Sequence, residues 1–149
     1  MKIALGSDHA GYLLKEEIAE FLCREGYDFQ DFGTFSGEPI DYPDIAREVS
    51  EEVAAGRFDY GILICGSGVG VSITANKTAG VRAALASDEY TAKVSRAHND
   101  ANVLALGGRV VGASLAMEIV KTFLETPFSG ETRHAKRIQK IEGSNGGGC

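Results

Sequence analysis

Four short segments of the chain carry side chains able to move a proton or hold an anion. The most informative is Cys65-Gly66-Ser67-Gly68-Val69-Gly70. A glycine-rich turn from a strand into a helix leaves backbone N–H groups aimed at one spot, which suits a phosphate or a developing oxyanion. Tight packing alone also favours glycine in such a turn, so both readings stand at this point. A dinucleotide fingerprint is disfavoured, because Val71 stands where the last glycine of GxGxxG is required. Cys65 is either a buried structural thiol or, at a strand's end facing a helix N-terminus, a reactive one, since that position favours the thiolate. Asp8-His9 and His98-Asn99-Asp100 are candidate proton-transfer groups beside other strands. Arg133 and Arg137, four residues apart, share a helix face and form either a guanidinium clamp for phosphate or a solvated basic surface.

The elements that must position these groups follow from hydrophobic periodicity. Apolar runs at 2–6, 60–65, 81–86 and 103–106 read as strands, and 28–32, with its polar residues, as a weaker one. They alternate with amphipathic stretches, the pattern of βαβ units around a parallel sheet. Over 12–25 the spacing places Leu14, Ile18, Phe21 and Leu22 on one helical face, with Lys15, Glu16, Glu20 and Arg24 outside it. Residues 33–43 read as a long loop. Further helices are marked by Ile45, Val49 and Val53, by the stretch after Gly70 as far as Asn76, by Ser87-Asp88, by Leu115, Ile119 and Phe123, and by 131–142. The expected fold is a single α/β domain over 1–142, a three-layer α/β/α sandwich around about five parallel strands, Rossmann-like, with a disordered Gly-rich tail at 143–149. Ligands in such sheets gather beyond the carboxyl ends of the strands. The segments at Asp8 and Cys65 fall there directly, whereas His98-Asn99 reaches it only if its loop folds back.

Composition narrows the function classes. The 149 residues carry a net charge of −6, which argues against general nucleic-acid binding. Residues 131–142 nevertheless hold four Lys or Arg against two Glu, a local +2 that leaves −8 on the remainder and points to a small anion site. No apolar run is long enough to span a bilayer and no secretory signal is readable, so the expected location is the cytoplasm. Cys23, Cys65 and Cys149 form neither a disulfide framework nor a metal-binding pattern, and no His/carboxylate set has ligand spacing; no metal or cofactor is expected.

Taken together the segments GSDHAG at 6–11, DYPD at 41–44, ICGSGVGVSITANK at 64–77, GVRAAL at 80–85, SRAHNDANVLALGGRVVG at 95–112 and RHAKRI at 133–138 resemble the type-B ribose-5-phosphate isomerases, a family that includes galactose- and allose-6-phosphate isomerases. The resemblance implies that Cys65 is the base that removes the C2 proton of an open-chain aldose to give a cis-enediolate. It implies that N–H groups of Gly66, Ser67, Gly68, Val69 and Gly70 stabilise the enediolate, that Ser67 relays a proton between O1 and O2, and that His98 opens the sugar ring with Asp8 handling the hydroxyl proton. Ser67 stands where many relatives have threonine, and the hydroxyl is kept. His9, Arg133 and Arg137 match phosphate ligands, and Tyr42, Asn99 and Arg109 match other substrate contacts. A homodimer or homotetramer with the site at the subunit interface is implied as well.

Two other classes compete. A non-catalytic phosphosugar sensor would use the glycine turn and the arginines but has no need of Cys65 and His98 together. A nucleotide- or flavin-binding α/β protein is the other: the spacing of the glycines counts against NAD, and the absorbance of the purified protein decides the flavin case. Within the isomerase reading, a hexose 6-phosphate is the alternative to ribose 5-phosphate.

Overall fold

The computed structural model describes residues 1–143; the remaining tail, with Cys149, lies outside the described residues, and so does the disorder expected there. Five strands, β1 (Lys2–Ser7), β2 (Asp28–Asp31), β3 (Tyr60–Cys65), β4 (Ala83–Leu85) and β5 (Val103–Gly107), form one sheet. All neighbours are parallel, in the order β2-β1-β3-β5-β4. Among the described residues there are also six helices: α1 (Tyr12–Arg24), α2 (Tyr42–Ala54), α3 (Val69–Ala75), α4 (Glu89–Ala97), α5 (Ala113–Glu125) and α6 (Thr132–Ile141). This is the expected three-layer α/β/α sandwich.

Alternation along the strands builds a core on each face of the sheet. Ile3, Leu5, Ile62, Ile64, Leu104 and Leu106 point to the layer of α1, α4 and α5, where they meet Ile18, Leu22, Ile119 and Phe123. Ala4, Leu63, Cys65, Val103 and Ala105 point the other way, against Val49 and Val53 of α2 and Val71 of α3. Cys65 is therefore the last side chain on the α2/α3 face of β3. Because both faces are covered, β3 is apolar throughout, as a central parallel strand must be.

Three expectations change. Lys15 is fully buried rather than on the outer face of α1, since its ammonium is paired with the carboxylates of Asp31 and Glu16 and lies near the rings of Tyr12 and Phe35. Leu115 is 40% exposed, because the buried stripe of α5 runs through Ala116, Ile119, Val120, Phe123 and Leu124. The loop after β2 ends two residues early: α2 starts at Tyr42, with Pro43 in the first turn where its missing N–H costs nothing.

Candidate active site

The chain leaves β1 into α1 on one face of the sheet and leaves β3, its neighbour, into α3 on the other, and so opens a crevice between the two connections, the usual ligand position of an open parallel sheet. A cleft of about 600 Å³ lies there. Its lining includes Asp8 and His9 from the end of β1, Tyr42 from α2, Cys65 to Ser67 from the end of β3, and Arg109 from the turn after β5.

Each of these groups is held by backbone. Asp8 is 6% exposed, and its Oδ1 accepts the Gly11 N–H at 3.0 Å, which fixes the carboxylate while leaving Oδ2 for a ligand. Nδ1 of His9 accepts the Ile40 N–H at 3.2 Å, so the loop after β2 sets the direction of the imidazole. The Gly108 N–H donates to the Cys65 carbonyl at 2.8 Å and the Arg109 N–H to the Gly66 carbonyl at 3.0 Å, which ties the turn after β5 to the glycine turn. The guanidinium of Arg109 then lies over Gly66, with Nη1 only 3.4 Å from where a Cβ would stand.

The Cys65 thiol is 4% exposed and its Sγ accepts the Gly68 N–H at 3.1 Å. Gly68 has φ +79°, a left-handed conformation that side chains disfavour and that turns its N–H back toward the sulfur. The Ser67 hydroxyl accepts the Val69 N–H at 3.2 Å. The first intrahelical bond of α3 runs from the Ser72 N–H to Gly68, so the N–H groups of Gly70 and Val71 have no partner within the helix. Gly70 also admits Tyr42: a Cβ there would lie 2.5 Å from the tyrosine ring. A thiol, a carboxylate, an imidazole and a guanidinium thus converge beside backbone donors, which is equipment for moving a proton next to a developing negative charge.

The other sequence candidates lie elsewhere in the chain. The loop bearing His98 does not fold back. His98 caps the C-terminus of α4, which runs opposite to the strands, and the Asn102 carbonyl accepts from Gly61 at the start of β3. His98 and Asn99 therefore sit at the amino end of the sheet, whereas Cys65 is level with Gly107 at the far end of β5. Five strand residues separate the two levels, roughly 16 Å at about 3.3 Å per residue. Arg133 and Arg137 project from α6 with Lys136 and Lys140 into a separate basic groove. Both arginines are exposed, as are His98 and Asn99.

Sequence reasoning passed over several groups that matter. Ala10, Ile73 and Val110 line the cleft, and Ile73 and Val110 are 58% and 61% exposed, high for apolar side chains. His134, between the two arginines, is buried against His98 with ring centroids 4.3 Å apart. Its only signal was its place in RHAKR. Among the described residues no group of three or more His, Cys, Asp or Glu could hold a metal ion, and no helix is long and apolar enough to cross a membrane.

A family described as Ribose/Galactose Isomerase matches residues 3–141. The chain belongs to the ribose/galactose isomerase family. It is similar to ribose-5-phosphate isomerase B of Escherichia coli K12, with 51% identity over 140 residues, 94% of this chain and 93% of the relative. The solved ribose-5-phosphate isomerase B of Clostridium thermocellum is 54% identical, covers 98% of each chain and superposes with a TM-score of 0.94. That of Mycoplasma genitalium, solved with bound ribulose 5-phosphate, is 42% identical with a TM-score of 0.92, over 99% of this chain and 97% of that one.

Proposed function

We infer that this chain is an aldose–ketose isomerase interconverting ribose 5-phosphate and ribulose 5-phosphate, with Cys65 as its base. The observation that carries the assignment of the base is the Cys65 sulfur, placed at the floor of the cleft within 3.1 Å of a backbone donor and beside Asp8. His98 gives a proton to the ring oxygen as the bond from C1 to that oxygen breaks, and Asp8 takes the proton of the O1 hydroxyl, leaving the open aldehyde. The Cys65 thiolate then removes the C2 proton. Ser67 relays a proton between O2 and O1 while the N–H groups at the start of α3 stabilise the enediolate, and the thiol returns its proton to C1. A thiol base must stay reduced, which fits a cytoplasmic enzyme.

His98, Asn99, Arg133 and Arg137 serve the cleft of a second copy of the chain. Two features support this: they lie at the opposite end of their own sheet, and the cleft they would join is rimmed by Val69, Ile73 and Val110, at 46%, 58% and 61% exposure, which a second copy would cover. The phosphate is then held between His9 of one copy and the two arginines of the other. Tyr42, Asn99 and Arg109 hold the sugar hydroxyls.

The substrate is tested by comparing three sugars in one assay. A hexose 6-phosphate inserts one more carbon between C2 and the phosphate, and a misplacement of about 1 Å costs on the order of a hundredfold in rate. Ribose 5-phosphate should have the highest kcat/KM, allose 6-phosphate at least about tenfold lower and galactose 6-phosphate lower still. A higher value for either hexose phosphate would refute the pentose assignment.

A further inference from the structure

His134 is a buried ionisable side chain to which the reaction just described gives no task. It is 4% exposed, although Arg133, Lys136 and Arg137 around it on α6 are all exposed. Its ring lies against that of His98, with centroids 4.3 Å apart and planes tilted by 32°. Its Nδ1 is 2.8 Å from Ser129 Oγ, and the Ser129 backbone N–H donates at 3.0 Å to the carbonyl of Ala97, the residue before His98. These contacts close a circuit from the end of α4, through the segment before α6, to His134 and back to His98.

The surroundings also set the charge of His134. Ser129 Oγ accepts the Glu131 N–H at 3.3 Å, which holds the hydroxyl beside Nδ1. Burial above all, then His98 with Arg133 and Arg137, holds His134 below the ordinary histidine range, against the opposing charge of Glu131. His134 is thus neutral near pH 7. A second imidazolium behind a proton donor would be repelled, whereas a neutral ring offers its π face to a charged one.

We propose that His134 is a positioning residue for His98: anchored by Ser129, it presents a fixed ring face that holds the exposed His98 imidazole in the orientation needed to protonate the sugar's ring oxygen. The proposal rests on the reading of His98 as the ring-opening acid. An exposed side chain at a helix terminus otherwise samples several rotamers, and orientation is worth a large share of rate in proton transfer.

The test separates ring opening from proton abstraction. Ribulose 5-phosphate cannot form a furanose through its phosphorylated O5, so uptake of solvent deuterium at its C1 requires Cys65 but no ring opening. His134→Ala should lower kcat for ribose 5-phosphate by about tenfold to a hundredfold, with KM within about threefold and C1 exchange within about twofold of wild type. His134→Phe restores an aromatic face and should recover most of the loss, and Ser129→Ala should show the same split at about a few-fold. An unchanged kcat in His134→Ala, an exchange rate that falls in step with conversion, or a Phe variant no better than Ala would overturn the proposal. His98→Asn serves as the control. If it shows no split between conversion and exchange, the reading of His98 fails and this proposal falls with it; if it does and His134→Ala does not, the proposal alone fails.

Discussion

The two ends of the sheet are built on opposite principles. At the carboxyl end the reactive groups sit close to the backbone and two of them are buried: Cys65 and Asp8 are 4% and 6% exposed, and each accepts a backbone N–H. At the amino end His98, Asn99, Arg133 and Arg137 stand in solvent on helix surfaces. Proton abstraction from carbon needs fixed geometry and exclusion of water, which strand ends and a glycine turn supply. Cations that will meet a phosphate have the opposite need, since burying them without a partner costs far more than leaving them hydrated. The separation within one chain is therefore consistent with a site that is assembled only when two copies meet.

The comparison breaks first at Cys65. Cys65→Ala should lower both conversion and C1 exchange by about 10³- to 10⁴-fold while changing phosphosugar affinity by no more than about tenfold, because a base acts in the transition state. Near-normal exchange in this variant would remove the carboxyl end from the chemistry.

The amino end should respond differently. If the two arginines hold the phosphate as proposed, Arg133→Ala and Arg137→Ala would each remove a charge-assisted contact of about 1.5–3 kcal/mol, so KM should rise by roughly tenfold to a hundredfold with a smaller change in kcat. Steady-state kinetics in both directions distinguish this from a loss in kcat alone, which would move the arginines out of the phosphate site.

The smallest expected effect is on stability. Unfolded His134 takes up its proton at the ordinary value of about 6.5, whereas the folded group, depressed by burial, His98 and the two arginines, takes it up only at lower pH. Between those values the unfolded state holds more protons, so stability rises with pH and is lost on acidification. Thermal midpoints measured from about pH 7.5 down to about pH 5.5 should fall more for wild type than for His134→Phe. Parallel curves would show that folding leaves the proton affinity of His134 unchanged.

Most of the carboxyl-end cleft was legible in the sequence, because Cys65 ends, and Asp8 closely follows, an apolar run whose direction a parallel sheet fixes. The glycine turn was legible but is shorter than expected, since α3 starts at Val69 and makes Gly70 helical; the Tyr42 ring over Gly70 was not legible, since it depends on where α2 packs. His98-Asn99 was placed there only on condition that its loop folds back, and the condition fails for a clear reason: the segment precedes β5, and a segment before a parallel strand lies at the opposite end from one that follows it. Lys15 shows the limit of helical periodicity, as its burial depends on a carboxylate supplied by β2. His134 carries the same lesson, because a histidine between two arginines reads as surface until His98 is found against it.

The claim that one site draws its base and its acid from two copies of the chain is tested most directly by mixing two inactive variants. Cys65→Ala keeps its amino-end patch intact and His98→Asn keeps its cleft intact. Coexpressed, they pair at random into about one-half mixed dimers, each with one complete site, so activity should recover to about a quarter of wild type. If both groups instead act within one chain, no mixed dimer contains a complete site. Activity that stays at the level of the separate variants, with mixed dimers shown to be present, would contradict the account.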